Sequence, residues 1–345
     1  MNLPHHHGPG PDDTGHADTG LDVVGIGNAL VDVLSHEHDA FVDELGLNRG
    51  AMTLIDEDRA HALYDAMGPG VEISGGSAAN TIVGIASFGG RAAYIGKVRD
   101  DQLGAVFRHD IRANGVQFDN PFATSGPSTG RCLIVVTPDA QRTMNTYLGA
   151  SSFLGPDDVD AALVAAAKVV YLEGYLFDLP PAQEAYWKAS RVAHDAGREV
   201  SLTLSDSFCV ERHLDAWREL VRDQVDLLFA NESEICALYG GDFDDALQQV
   251  RSDVAVAALT RSEHGSVIVA GDEVHVVPAH PVDQLVDTTG AGDLYAAGFL
   301  AAYTSGHDLA TCGRLGSIAA AEVISHIGAR PEVRLADLAG SVLDA

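Results

Sequence analysis

From about residue 157 onward, short apolar runs alternate with longer segments of helical pattern. The runs include AKVVYLEG, EVSLTLS, VDLLFAN and DVAVAALT, and the segment PAQEAYWKASRVAHDAG separates the first two. Strands that alternate with helices in this way form βαβ units, in which the strands are parallel and the helices cover the sheet. The alternation therefore predicts an α/β fold with a largely parallel central sheet flanked by helices.

The N-terminal half predicts further elements of the same sheet. The run LDVVGIGNALVDV, residues 21–33, is typical of a central strand followed by a tight turn. The residues 75–90, GGSAANTIVGIASFGG, indicate a loop that leads into a closely packed helix. The string GIGNAL is not a dinucleotide-binding fingerprint, because Leu30 occupies the position of its third glycine and no helical pattern follows at once.

Two segments fit this large sheet poorly. Residues 129–150 contain two β-rich runs joined at Pro138–Asp139, which is typical of a hairpin. Together with the segment 40–56, this hairpin predicts a small accessory sheet. We expect it to act as a β-sheet lid, inserted into the main domain at about 33–57 and 120–150.

Composition excludes several classes of protein. A formal net charge of −29 argues against a nucleic-acid partner, and no apolar run approaches the length of a membrane span. The four cysteines form no CxxC pair, which favours buried thiols in a reducing cytoplasm over a zinc or disulfide framework. Residues 1–20 are rich in Gly, Pro, His and Asp, so we expect a disordered tail there and one domain over 21–335.

The residues 287–293, DTTGAGD, place small residues and a carboxylate at the start of a helical pattern. Free amide groups and the helix dipole favour an anion at such a start. An acidic residue there is often an ordinary helix cap. Capping does not require glycine at both 290 and 292, however, whereas the close approach of a phosphate does. A base for phosphoryl transfer must lie beside the anion, which would explain Asp293.

Three ordered motifs resemble those of the ribokinase-like, or PfkB, carbohydrate and nucleoside kinases. They are DTTGAGDLYAAGFL (287–300), GGSAANTIVGIASFGGRAAYIGKVRDDQLG (75–104) and NESE (231–234). The second motif departs from the family at Arg99, where glycine is usual. The resemblance runs from about residue 21 to 330. It implies a ribokinase-like fold and phosphorylation of a hydroxymethyl group on a sugar or nucleoside by ATP and Mg²⁺.

The resemblance also implies the roles of the residues at the phosphate end. Asp293 matches the base that accepts the hydroxyl proton, and Gly290, Ala291 and Gly292 match the anion hole. The residues that would bind ATP are Asn231, Glu234, Thr260, Gly265 and Gly292. Of these, Asn231 and Glu234 match the NxxE pair that organises Mg²⁺ and its water shell, with Glu234 acting through water. Ser262 replaces the first glycine of the family's TxGxxG nucleotide loop.

A second group of residues is predicted to bind the acceptor. A buried carboxylate at Asp32 can accept two hydrogen bonds from a vicinal diol such as that of ribose. The other candidates for substrate binding are Asn28, Leu30, Gly75, Gly76, Asn80, Tyr175 and Phe177. The last two would stack on a purine, although core packing explains them equally well. In the predicted lid, Arg131 and Arg142 could approach the phosphates or be solvated hairpin charges, and the second interpretation is favoured for Arg131.

The acceptor-side segments most resemble adenosine kinases and related nucleoside kinases, which implies transfer to the 5′-hydroxyl of adenosine. A PfkB sugar kinase acting on fructose, ribose or ketodeoxygluconate is the alternative. A catalytically silent ligand-binding protein is remote, because such a protein would have lost the base. Some members also bind K⁺ through carbonyls at positions matching Asp287 and Thr289. The resemblance leaves open a monomer or a homodimer paired through the lids.

Overall fold

The computed structural model describes residues 20–139 and 141–343, so the predicted tail lies outside the described residues except for Gly20. The strands are β1 (Leu21–Ile26), β2 (Leu30–His36), β3 (Met52–Leu54), β4 (Gly70–Gly75), β5 (Ala92–Ile95), β6 (Gly130–Val136), β7 (Arg142–Tyr147), β8 (Ala167–Glu173), β9 (Glu199–Thr203), β10 (Leu227–Asn231), β11 (Val256–Thr260), β12 (Ser266–Ala270) and β13 (Glu273–Val277). The helices are α1 (Asp39–Glu44), α2 (Glu57–Ala66), α3 (Ser77–Ser87), α4 (Gln102–Ala113), α5 (Ala161–Ala166), α6 (Pro180–Asp195), α7 (Ser207–Arg212), α8 (Leu214–Gln224), α9 (Glu232–Tyr239), α10 (Phe243–Asp253), α11 (Ala291–Thr304), α12 (Leu309–Val323) and α13 (Leu335–Leu343). None of these helices is long and apolar enough to cross a membrane.

The larger sheet has eight strands in the order β13-β12-β11-β10-β9-β8-β1-β5. Neighbouring strands are parallel in the part of the sheet that runs from β5 to β11. Strand β12 pairs antiparallel with both of its neighbours, β11 and β13. Successive side chains of β1 enter opposite cores, since Val23 packs with residues of α3 and α11 and Val24 with residues of α6 and α8. Burial on both faces accounts for the continuous apolar runs in the sequence. The predicted α/β fold class is confirmed.

The smaller sheet has five strands in the order β3-β7-β6-β2-β4. The predicted hairpin is present as the antiparallel pair β6 and β7, with Pro138–Asp139 in its turn. Strand β4 lies outside the predicted lid segments. Its sequence, GVEISG, begins and ends with glycine, and its first two residues are exposed at the sheet edge. These features weaken the alternating pattern by which a strand is recognised.

Two short connections carry the chain between the sheets. Residues 27–29 join β1 to β2, and Gly76 joins β4 to α3. Gly76 has φ 99°, and a Cβ there would lie 2.1 Å from the Asn28 carbonyl oxygen, so the two connections can lie together only with glycine. This contact places the small sheet over the C-terminal ends of β1 and β8, where open α/β sheets bind their ligands.

Candidate active site

A cleft of about 1620 Å³ lies between the C-terminal ends of β8 to β11 and one face of the smaller sheet. Most of the residues predicted to form a site line this cleft. They are Asn28, Leu30, Asp32, Gly76, Asn80, Tyr175, Asn231, Glu234, Thr260, Gly265, Thr289, Gly290, Ala291, Gly292 and Asp293. The fold therefore brings together candidates from opposite ends of the chain in one cavity.

Helix α11 begins at the predicted anion hole. Its N-cap Gly290 has φ 80°, and a Cβ there would lie 2.8 Å from the Ala329 Cβ. A Cβ at Gly292, in contrast, would meet no atom within 4 Å, so the space beside it is open to a ligand. The Ala291 amide donates to the Thr288 carbonyl oxygen at 3.2 Å. Of the three predicted anion-hole residues, Ala291 thus already uses its amide within the loop.

Asp293 is held by the first turn of α3. The Ser77 hydroxyl donates to one carboxylate oxygen at 2.6 Å, and the Asn80 amide nitrogen donates to the other at 2.9 Å. Burial raises the pKa of Asp293, while these two hydrogen bonds and the charge of Arg330 oppose the rise. Asn80, which we expected on the acceptor sugar, therefore orients Asp293 here, because α3 packs against α11.

Asp32 lies within strand β2 and faces the cleft. A Cβ on Gly75 would lie 2.3–2.4 Å from the atoms of the Asp32 carboxyl group, so only glycine leaves room for it. Burial raises the pKa of Asp32 to about 6, against the opposing charges of Arg330 and Arg142. No hydrogen bond from the described residues contributes to this pKa. A carboxylate so placed is ready to accept hydrogen bonds from a ligand.

This pKa predicts a pH dependence of acceptor binding. An ionised carboxylate can accept hydrogen bonds from a diol, and protonation removes that capacity at one oxygen, so the binding of a diol here would weaken as the pH falls through about 6. We expect the acceptor KM, measured at saturating ATP, to rise by about tenfold per pH unit below that point. Steady-state kinetics between about pH 5 and pH 8 measure this constant. A flat acceptor KM would contradict the prediction.

The sequence did not reveal Glu173, at the end of β8. Its fully buried carboxylate accepts from the Asn28 backbone amide at 3.0 Å, the Asn28 side-chain amide at 2.7 Å and the Ala78 backbone amide at 2.8 Å. The Asn28 oxygen in turn accepts from the Ser151 hydroxyl at 2.8 Å. Burial raises the pKa of Glu173 to about 7. Asn28 thus holds the loop after β1, and the signal for Glu173 was a carboxylate that ends an apolar strand.

The two predicted aromatic candidates separate in the structure. Tyr175 lines the cleft, and its ring centroid lies 6.3 Å from that of Phe208, which also lines it. Phe177 is 1% exposed and packs on Trp217 with ring centroids 4.1 Å apart. The 3₁₀ turn Gly174–Leu176 carries the chain from the cleft into the core. Phe177 is therefore a core residue and has no free face for a purine.

Asn231 and Glu234 form a capping box at the start of α9. The Asn231 side-chain oxygen accepts from the Glu234 amide at 2.9 Å, and the Glu234 carboxylate accepts from the Asn231 backbone and side-chain nitrogens at 2.9 and 2.6 Å. Burial raises the pKa of Glu234 to about 7. Because both oxygens of Glu234 already accept hydrogen bonds, a contact with Mg²⁺ through water fits this pair better than direct coordination. The described residues hold no cluster of three or more His, Cys, Asp or Glu side chains suited to a metal.

The loop after β11, which the sequence predicts to bind the nucleotide, contains backbone strain at Ser262. Ser262 has φ 50°, in the left-handed region that favours glycine. Gly265 has φ 83°, and a Cβ there would lie 2.1 Å from the Val277 carbonyl oxygen. The loop thus keeps a left-handed residue at 262 although glycine is absent, and Thr260 and Gly265 still line the cleft.

Ser262→Gly is expected to raise the free energy of unfolding by about 0.5–1 kcal/mol. Relief of the left-handed strain outweighs the greater freedom of glycine in the unfolded chain. Chemical denaturation followed by fluorescence measures the change. Ser252→Gly in helix α10 is the matched control and should lower stability by about the same amount. Equal losses in both variants would contradict the prediction.

Asp287 and Arg142 connect the loop before α11 to strand β7 of the smaller sheet. The two side chains form a buried ion pair, and Asp287 also accepts from the Thr289 amide at 3.0 Å, the Thr289 hydroxyl at 2.7 Å and the Gly328 amide at 3.1 Å. The Asp287 carboxylate therefore shapes the loop, and a K⁺ site on the carbonyls of Asp287 and Thr289 stays a prediction.

Arg131, in strand β6, is buried. Its guanidinium carbon lies 5.9 Å from the ring centroid of Tyr64 and 5.8 Å from that of Tyr147. The interpretation of Arg131 as a solvated charge was therefore wrong.

Comparison with known proteins agrees with this geometry. A family model described as pfkB family carbohydrate kinase matches residues 63–334. The chain belongs to the PfkB family. The crystal structure of adenosine kinase from Sinorhizobium meliloti is 54% identical, with a TM-score of 0.85 over 93% of this chain and 99% of that one. A structure from Rhizobium etli CFN 42, named a probable sugar kinase protein, is 50% identical, with a TM-score of 0.86 over 94% and 98%.

A curated relative extends the same comparison. Adenosine kinase from Saccharomyces cerevisiae is 28% identical over 333 residues, which cover 89% of this chain and 95% of that protein. As a PfkB kinase, the protein is a phosphotransferase with an alcohol group as acceptor. The family uses ATP, typically with Mg²⁺, and the recognised ribokinase-like fold, with its small second sheet, is confirmed.

Proposed function

We propose that this PfkB kinase transfers the γ-phosphoryl group of ATP to the 5′-hydroxyl of adenosine. The observation that carries the proposal is that Asp32 and Asp293 face one cleft, the first with no hydrogen-bond partner among the described residues and the second at the start of α11. A ribose diol on Asp32 would leave the 5′-hydroxyl free to reach Asp293. Asp32 would thus bind the acceptor, and Asp293 would accept the proton.

In this proposal Asp293 accepts the proton of the attacking hydroxyl. The amides of Gly290 and Gly292, at the start of α11, stabilise the charge on the transferred phosphoryl group. Asn231 and Glu234 hold the water shell of Mg²⁺, which neutralises phosphate charge when bound. Arg142 enters the cleft from the lid and adds a cation on the acceptor side of the phosphates. Thr260 and Gly265 contact the nucleotide.

Two observations favour adenosine over a sugar. The 54% identical structure is named an adenosine kinase, and the yeast adenosine kinase aligns over nearly its whole length. The acceptor side of the cleft also offers Tyr175 with apolar lid side chains such as Leu30, Ile134 and Met144. These surfaces suit a flat purine base better than a small polar sugar.

We propose that the enzyme is cytoplasmic and acts as a monomer or a lid-paired homodimer, with K⁺ at the carbonyls of Asp287 and Thr289.

An ATP-consumption panel tests the acceptor. Adenosine, inosine, guanosine, ribose and fructose are compared by kcat/KM, and we expect adenosine to exceed every other acceptor by about tenfold or more. A preference for ribose or fructose would overturn adenosine in favour of the sugar-kinase alternative suggested by the Rhizobium etli name. No turnover with any acceptor would revive the silent-protein alternative.

A further inference from the structure

Arg330, in the segment between helices α12 and α13, is a partly buried side chain whose guanidinium contacts two other segments. One terminal nitrogen donates to the Ala79 carbonyl oxygen at 2.9 Å. The other donates to the Ser74 carbonyl oxygen at 2.6 Å and to the Ser74 hydroxyl at 3.1 Å. Removing a charged group from water is costly, and these three hydrogen bonds offset part of that cost.

These contacts span the connection between the lid and the main domain. Ser74 lies in lid strand β4, and Ala79 lies in the first turn of α3. Between them are Gly75 and Gly76, where the chain leaves the small sheet with φ 99° at Gly76. Two adjacent glycines would make this connection flexible. The Arg330 guanidinium joins the two sides of the flexible pair directly.

The same connection orients Asp293. Ser77 and Asn80, which flank Ala79 in the first turn of α3, donate to its two carboxylate oxygens. A shift of this turn relative to the lid would therefore move Asp293 relative to an acceptor bound on Asp32. The charge of Arg330 also faces both carboxylates, Asp32 and Asp293.

We propose that Arg330 is a positioning residue for phosphoryl transfer, which holds lid strand β4 to helix α3 across Gly75–Gly76 and so keeps Ser77 and Asn80 aligned on Asp293. The inference rests on the proposed role of Asp293 as base. Arginine suits the task because its planar fork reaches two carbonyl groups in different directions at once. Lysine would supply the charge but not the two-sided contact.

Two substitutions separate the contact from the charge. Arg330→Met removes both and is expected to lower kcat by about 10- to 100-fold, with the KM for ATP within about twofold of wild type. Arg330→Lys keeps the charge and should also lower kcat, by about threefold to tenfold, because it cannot hold both carbonyls. Arg314→Met, an exposed position on α12, is the matched control and should leave kcat unchanged.

A pH profile provides a readout that a loss of packing alone would not move. Without the nearby cation, the acid limb of kcat should shift to higher pH in Arg330→Met and stay in place in Arg330→Lys, because ionised Asp293 loses a favourable charge. The other titratable groups that interact with Asp293 remain the same in each variant. They are Asp32, Glu173, Glu234, Tyr171 and Tyr175.

The outcomes distinguish this inference from the proposed function. Wild type without turnover on the whole acceptor panel would refute the proposed function itself. Active wild type with kcat and the acid limb unchanged in both folded Arg330 variants would overturn only the positioning role. Melting temperature and equilibrium ATP binding establish the folded fraction. A fall in kcat that merely follows that fraction would also overturn the positioning role, and Arg330→Lys keeps the test available if Arg330→Met does not fold.

Discussion

Asp293→Asn is expected to lower kcat by about 10³-fold while the affinity for ATP stays within about twofold of wild type. Asparagine has the shape of aspartate but cannot accept the proton of the attacking hydroxyl. The α11 amides that would bind the phosphate are backbone groups, so the substitution leaves them in place. Transfer would be lost while nucleotide binding persists.

The surroundings of Asp293 allow this exchange without a change of fold. An asparagine oxygen can still accept from the Ser77 hydroxyl. Its new nitrogen would face the Asn80 amide nitrogen, but the Asn80 oxygen has no hydrogen-bond partner among the described residues, so rotation of the Asn80 amide restores the bond.

Single-turnover transfer and equilibrium ATP titration measure the two quantities separately. Asp337→Asn, an exposed position in α13, is the matched control for the same chemical change and should leave both values as in wild type. A loss of less than about tenfold in Asp293→Asn would show that another group takes the proton.

Candidates that lie within one short motif could be predicted from the sequence. Gly290, Gly292 and Asp293 are nearly consecutive, and a helix N-terminus places such residues together whatever the rest of the fold does. Asn231 and Glu234 likewise meet across one turn at the start of α9. Local geometry therefore explains why these parts of the cleft could be predicted from the sequence.

Residues whose partners are distant backbone groups could not be predicted. Glu173 binds Asn28, 145 positions away, and Arg330 binds Ser74, 256 positions away. Both side chains hold loops through main-chain atoms, which carry no sequence signature. In the sequence, Glu173 appears as a single carboxylate at the end of an apolar run, and Arg330 as a basic residue between Ala329 and Pro331.

The smaller sheet shows a second limit of sequence patterns. The alternation of strands and helices identified the large sheet, because each of its parallel strands is buried on both faces. Strand β4 is a short edge strand with glycine at both ends, and its pairing with β2 depends on a contact that no local pattern contains. The orientation of the Phe177 side chain could not be predicted for a similar reason, since one 3₁₀ turn decides whether it faces the cleft or the core.

Asp32→Asn is expected to lower kcat/KM for adenosine by about 10²- to 10³-fold and to leave the KM for ATP unchanged. The ionised carboxylate would accept two hydrogen bonds from the ribose diol, each worth about 1.5–3 kcal/mol when the acceptor is charged. Asparagine keeps the size of the side chain but offers one accepting oxygen and no charge. Steady-state kinetics with each substrate varied in turn separate the two effects.

Gly75→Ala is expected to displace the same Asp32 carboxylate by steric contact. The added Cβ would lie 2.3–2.4 Å from the atoms of the Asp32 carboxyl group, so the group must move away from its position. A comparison with 2′-deoxyadenosine then decides where Asp32 acts. That acceptor lacks one of the two hydroxyls, so the penalty of Asp32→Asn should shrink by about 10-fold or more. An equal penalty with both nucleosides would mean that Asp32 stabilises the cleft rather than the diol.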